Sequence, residues 1–392
     1  MGCQQSRITR YSELTDEDIK LIPLVFRDMN RKHMSPGVEY WFRTCYIQEG
    51  TIPLDVHGET INLEYVCVTK YGYYPAEETR TTQDAYSLLP ITFSSNNKEL
   101  NGVFLGVFDG HGEYGGECSI ACKEYMDLVM STRHSFDSEQ SVGELISNSL
   151  EECNKQMHDK KYTGGLDDTN SGTTAICVSI MDSTITCVNV GDSRCVAGYC
   201  TSDQVFAFPL SIDQTPVRDD ERSRVTAYGG DVFTLADRMP SDNRLMHHDH
   251  QSYSLDDPPR IYLKNCGYPG AAFSRSVGDA LAESVGVIAK GEITRKHIVC
   301  GLNSILCGSD GVWNFCTPDE LSCSVRYSTD LAKTVVTSVV NIFERWVKTC
   351  ASSDDITLLV LRFPPLPTLP NTSEDWDTSQ FETKDSIIFS QK

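Results

Sequence analysis

Apolar residues in this chain gather into short runs that stop abruptly on acidic ones. Val103-Phe104-Leu105-Gly106-Val107-Phe108 is a continuous apolar stretch bounded by glycine, the mark of a buried strand. Residues 304–309 and 356–363 have the same character, and Ile61, Leu63, Tyr65 and Cys67 alternate with polar neighbours as in a half-buried strand. Two β-rich runs, 171–180 and 184–190, enclose a Met181-Asp182-Ser183 turn and predict a hairpin. Helical spacing covers residues 117–130 and 142–157. In the second, Val142, Leu145, Ile146, Leu150, Cys153 and Met157 form one stripe, which suits core packing better than a cofactor face. A helix over 219–228 is stopped by Gly229-Gly230. Another opens cleanly at Thr317-Pro318-Asp319-Glu320, where Thr317 caps, Pro318 takes the first helical position and Glu320 completes a capping box. The last predicted helix, 328–348, turns Val335, Val336, Val339, Phe343 and Val347 to one face.

The 392 residues suffice for one large domain or two ordinary ones, and no run approaches membrane-spanning length. A formal net charge of -21 argues against nucleic acid as a partner. It would also repel a dianionic phosphate unless cations stand in the site. The 16 cysteines are scattered without a C-x-x-C pair. Several (Cys177, Cys187, Cys307) sit in apolar runs as small hydrophobes, so no zinc site is expected.

Met1-Gly2-Cys3-Gln4-Gln5-Ser6 fits the N-myristoylation pattern, with Gly2 as acceptor. One acyl chain anchors only marginally, and Cys3 is placed to add palmitate as a second signal. A chance match is the bland alternative. The expected location is the cytoplasmic face of a membrane, with a cytoplasmic fraction. Co-expression with an N-myristoyltransferase should load Gly2 with myristate, and an unmodified product would remove the claim. Residues 1–58 read as an N-terminal extension with one helix near 16–29, residues 59–364 as the main domain, and 365–392 as a disordered acidic tail. Residues 231–268 are polar and irregular. His247-His248-Asp249-His250 within them reads as solvated surface, since neighbours in one loop rarely converge on an ion.

The chemistry lies where the apolar runs end. Asp109-Gly110-His111-Gly112 releases a carboxylate from a rigid strand beside the side chain best suited to proton transfer near neutral pH. Asp192 and Asp310-Gly311 also follow strands, and Asp354-Asp355 precede one. Carboxylates gathered without cations raise one another's pKa, and hard divalent ions resolve the repulsion. If these strand ends converge, a two-metal site with a bridging water as nucleophile follows. Separate solvated turns are the alternative.

Seven motifs occur in order: Gln83-Asp84, Phe108-Asp109-Gly110-His111-Gly112, Ser171-Gly172-Thr173-Thr174-Ala175, Val190-Gly191-Asp192-Ser193-Arg194, Ala272-Phe273-Ser274-Arg275-Ser276-Val277-Gly278-Asp279, Gly308-Ser309-Asp310-Gly311-Val312-Trp313 and Asp354-Asp355-Ile356-Thr357. From about residue 60 to 364 the chain resembles the type 2C family of metal-dependent protein serine/threonine phosphatases. The resemblance implies an α+β fold, a four-layer α-β-β-α sandwich of two antiparallel sheets flanked by helices. It assigns Asp109 as the carboxylate bridging two Mg2+ or Mn2+ ions, with the Gly110 carbonyl on one of them. Asp310 and Asp354 would hold the other ion, and Asp84 would complete the cluster partly through water. Asp354 is preferred to Asp355 because the family's usual motif is Asp-Asn-Ile-Thr. His111 would protonate the departing alkoxide while a metal-bound hydroxide attacks phosphorus without a phosphoenzyme.

Three departures stand out. Gln83 replaces a common Glu. Thr79 occupies the position of the family's phosphate-binding Arg, leaving the adjacent Arg80 as candidate. Asn314 replaces an Asp that, with Asp192, is associated with a weaker third ion, so a third ion is in doubt. Residues 231–268 fall at the family's flap and are expected to influence substrate choice. The expected protein is a monomer acting on phosphorylated proteins. A catalytically weak or dead phosphoprotein-binding module of the same fold is the competing reading, and hydrolysis of small phosphate esters is a third.

Overall fold

The computed structural model describes residues 44–75, 81–95, 98–132, 134–135, 139–159, 165–201, 204–238, 257–366 and 376. Two sheets face each other. The first runs in the order Cys45–Val56, Glu59–Lys70, Ile356–Arg362, Leu302–Gly308, Arg194–Cys200 and Val205–Pro209, antiparallel throughout. The second is built around Lys98–His111, flanked by Asp84–Ser95 and Ala175–Met181, and continues through Thr184–Val190 to Glu292–His297. Short strands Gly172–Thr173 and Val277–Gly278 extend it at the end of Lys98–His111.

Period-2 patterning on strands with two buried faces explains the layering. Residues on one side, such as Leu54, Leu63, Leu105, Val178 and Leu359, fill the space between the sheets. Their neighbours on the outer faces take helices. Val68, Leu306 and Val360 pack under Pro318–Arg326 and Leu331–Cys350. Phe104, Phe108 and Cys177 pack under Gly115–Ser131 and Glu139–His158. The four-layer α-β-β-α sandwich expected from the sequence is therefore the fold. Thr317 caps its helix as expected, accepting from the Glu320 amide at 3.2 Å.

Three stretches differ from the sequence reading. Cys45–Val56, placed in the N-terminal extension, is a full strand of the first sheet, turning through His57 (φ 49°) and Gly58 (φ 84°) into Glu59–Lys70. Its buried apolar residues (Ile52, Leu54, Val56) all lie in the second half, and the first half is only partly buried, so its periodicity is weak. Of the stretch 231–268, expected to be irregular, the described residues 231–238 and 257–268 carry regular structure. Arg260–Leu263 pairs with Gly230–Phe233 on one side and Pro269–Ala271 on the other in a small separate antiparallel sheet whose Ile261 packs with Val225 and Val285. Ser274 and Arg275 tie this sheet's end to buried Glu221, which also binds Arg224. Burial alone would raise the Glu221 pKa; Arg224, Arg275 and Ser274 pull it down to about 2. Lastly, Leu366 and Trp376, within the segment expected to be a disordered tail, pack on the core. The helix expected near 16–29, Gly2, Cys3, Arg80 and the His247–His250 run lie outside the described residues.

Candidate active site

Antiparallel pairing sets Asp84, first residue of its strand, directly opposite Asp109, near the end of Lys98–His111. Two carboxylates far apart in sequence are thus neighbours by register. The Asp109 amide donates to Thr174 Oγ1 at 3.1 Å and its carbonyl accepts the Thr174 amide at 2.9 Å, which locks the strand end. Gly110 follows because nothing larger fits: a Cβ there would lie 2.1 Å from the Gly115 carbonyl oxygen. Asp310 opens the short helix Asp310–Trp313, and Asn314 Nδ2 donates to its Oδ2 at 3.3 Å. Asp354 accepts from the Tyr74 hydroxyl at 3.1 Å.

Asp109, Gly110, His111, Asp192, Asp310 and Asp354 line one cavity of ≈ 410 Å³. The next carboxylate, Asp355, is used differently. Its two oxygens accept the Gly72 amide at 2.6 Å and the Gln83 amide at 2.8 Å, closing the first turn of the site from behind. Lys70 is fully buried nearby and donates to the Tyr71 carbonyl at 2.6 Å. Burial lowers its pKa to about 7 against the pull of Cys45 and Asp355.

The carboxylates suffer for their closeness. Burial, then Asp84, Asp310, Asp354 and Asp192, push Asp109 well above the usual carboxylate range. Asp310 rises likewise, through burial and then Asp354. Asp84 rises to about 8 through burial and Asp355, although Ser309 Oγ donates to its Oδ2 at 2.9 Å. Asp192 rises to about 6 through burial and Asp213. Asp84 Oδ1 is buried with no hydrogen-bond partner. An orphaned acceptor in a nest of mutually repelling carboxylates fits hard divalent cations. Among the described residues, no group of three or more His, Cys, Asp or Glu side chains is arranged to hold an ion unaided.

One partner went unseen in the sequence. His111 Nε2 lies 2.5 Å from Asp279 Oδ2, and its ring packs on Phe273 at 4.2 Å between centroids. Burial would lower the His111 pKa, but the Asp279 carboxylate overcomes this and raises it. Asp279 takes φ 55°, unusual for a residue with a side chain, and its carboxylate fits only because residue 172 is glycine: a Cβ there would lie 2.3 Å from Asp279 Oδ2. The sequence signal was a carboxylate directly after Gly278, within a motif already noted. Arg260, on the small flap sheet, was also missed. Among the described residues it is the only Lys or Arg lining the cavity. Its Nη1 donates to the Gly270 carbonyl at 3.1 Å, and its buried Nε has no partner.

Residues 76–352 match the family model for protein phosphatase 2C. The chain belongs to that family. It is 32% identical over 317 residues to "Probable protein phosphatase 2C 35" of Arabidopsis thaliana, covering 80% of this chain and 87% of that protein. A second Arabidopsis relative, "Probable protein phosphatase 2C 34", is 27% identical over 275 residues, covering 67% of this chain and 72% of that protein. Among solved structures, serine-threonine phosphatase 2C from Toxoplasma gondii superposes with a TM-score of 0.56 at 14% identity, covering 81% of this chain and 99% of that one. At that identity the likeness speaks for the fold. Membership of protein phosphatase 2C supports a protein phosphatase, a hydrolase of phosphorylated proteins.

Proposed function

We propose that this chain is an active serine/threonine phosphatase in which Asp109, Asp310, Asp354 and the Gly110 carbonyl hold two Mg2+ or Mn2+ ions, with Asp84 completing the shell. Asp192, beside the neutral Asn314, is a weaker candidate for a third ion. The observation that carries the reading is the carboxylate cluster itself, whose members line one cavity and push one another's pKa values up. Such ions, when bound, would neutralise that charge, attract the phosphoryl dianion and activate a water for direct attack on phosphorus.

The chain's own residues do the rest. Asp279 anchors His111 through Nε2 and favours its protonated form. The ring then delivers a proton to the serine or threonine oxygen as the P–O bond breaks, which an alkoxide leaving group requires. The test is phosphate release from a phosphothreonine peptide with and without added Mn2+. Binding of the peptide without turnover, in folded protein at saturating metal, would favour the binding-module reading.

Arg260 gives the flap a role in substrate choice. It lines the same cavity as the carboxylates, from the small flap sheet, so we place it against an anionic residue flanking the phosphorylated one. R260A should raise KM roughly tenfold for peptides with acidic flanks, the worth of one charge-assisted hydrogen bond. KM unchanged across a panel of acidic and neutral flanks would remove that role.

A further inference from the structure

Directly behind Asp279 lies an ionic cage that the proposed chemistry does not use. His158, the last residue of Glu139–His158, stands between two carboxylates. Its Nδ1 is 2.5 Å from Asp168 Oδ2 and its Nε2 is 3.1 Å from Glu283 Oε2. Asn154, one turn earlier, donates through Nδ2 to Glu283 Oε1 at 2.6 Å. Its Oδ1 accepts the Gly278 amide at 2.7 Å. The backbone continues the clamp: the Asp168 carbonyl accepts the Ala280 amide at 3.1 Å and the Ser171 carbonyl accepts the Asp279 amide at 2.9 Å. Gly278 and Ala280 are therefore both held, and Asp279 between them is kept at φ 55°.

A left-handed aspartate persists only where its surroundings over-determine it. Here Asn154, Asp168 and Ser171 hold the turn directly, and His158 holds Asp168 and, through Glu283, Asn154. The Asp168 side chain is 4% exposed, and a buried carboxylate without a cation is costly. His158 is the cation that both carboxylates face. The hydrogen bonds it donates to Asp168 and then Glu283 raise its pKa to about 10, so it is charged throughout the neutral range.

We propose that His158 is a positioning residue: by bridging Asp168 and Glu283 it fixes the Gly278-Asp279-Ala280 turn and so aims His111 at the leaving-group oxygen. This rests on the reading of His111 as proton donor, and the substrates of the test are chosen to separate the two. A phosphothreonine peptide leaves as an alkoxide and needs the proton; p-nitrophenyl phosphate leaves as a stable phenolate and does not.

The experiment compares H158A, H158Q and E283Q with H111A on both substrates at saturating Mn2+, with thermal melts to confirm folding. H158A should lower kcat on the peptide about 10–100-fold, a large part of what a general acid contributes, with KM little changed. Hydrolysis of p-nitrophenyl phosphate should stay within about threefold, because damage to the metal site or to the fold would slow both substrates alike. H158Q, which keeps one donor, should recover part of the loss. E283Q, removing the more exposed partner, should give a smaller loss with the same substrate selectivity, and it serves if H158A does not fold. Equal losses on both substrates, or no loss on either, would overturn the proposal. If H111A itself treats the two substrates alike, the reading of His111 falls and takes this role with it. If H111A discriminates and H158A does not, only the role of His158 falls.

Discussion

D310N should abolish turnover of a phosphothreonine peptide while making the metal-free protein more stable. Asp310 is half-buried and faces Asp354, Asp192 and Asp84, and loss of hydration is the largest of the forces opposing its charge. The neutral isostere removes that repulsion, so the thermal midpoint without metal should rise by a few degrees. The same change deletes a proposed ligand. Loss of a group that merely orients a ligand typically costs 10–100-fold, so loss of the ligand itself should cost at least about a hundredfold in kcat/KM. A third reading separates metal from catalysis. Mn2+ at about a hundred times its Kd should stabilise the wild type by roughly 2.7 kcal/mol, and D310N should show much less of that gain. The opposite pairing, a destabilised apoprotein whose Mn2+ response is intact, would mean that Asp310 is a structural carboxylate like Asp355.

That contrast between neighbouring carboxylates marks how far the sequence could be read. Strands with both faces buried announce themselves as apolar runs, which is why the core strands and the flanking helices were legible. The acidic residues at their ends were legible for the same reason. Their meeting was not, because it depends on register: Asp84 faces Asp109 only through a ladder that pairs residues 25 positions apart. The inward turn of Asp355 and the outward turn of Asp354 follow from the Gly72 and Gln83 amides, donors from a loop and a strand start far away in sequence. Asp279 was hidden differently. Its role comes from a left-handed backbone, and that conformation is set by Asn154 and Asp168, not by its own neighbours. Cys45–Val56 shows the remaining failure, since a strand whose first half is only partly buried leaves little alternation to be seen there.

Trp376 carries the second large effect. It lies in the acidic C-terminal segment, yet is only 3% exposed. Its indole stacks on Tyr199 (6.0 Å, 13°) and meets Phe208 edge-on (5.2 Å, 86°), and its Nε1 donates to the His297 carbonyl at 2.9 Å. Tyr199 sits near the end of Arg194–Cys200 remote from Asp192, and His297 closes the last strand of the second sheet. The side chain therefore spans the two sheets at the end of the sandwich away from the carboxylates. W376A should cost about 3–5 kcal/mol, as large-to-small changes of buried aromatics do. That corresponds to a fall in thermal midpoint of roughly 10 °C. W376F should lie between, keeping the stacking and losing the bond to His297. Because the site is at the other end, kcat on the phosphopeptide at low temperature should be unchanged in both variants. A W376A midpoint within about 1 °C of wild type would show that the tryptophan only rests on the core. A low midpoint with normal kcat would show instead that the segment after residue 364, acidic and unpromising in sequence, supplies the plug that the sandwich lacks.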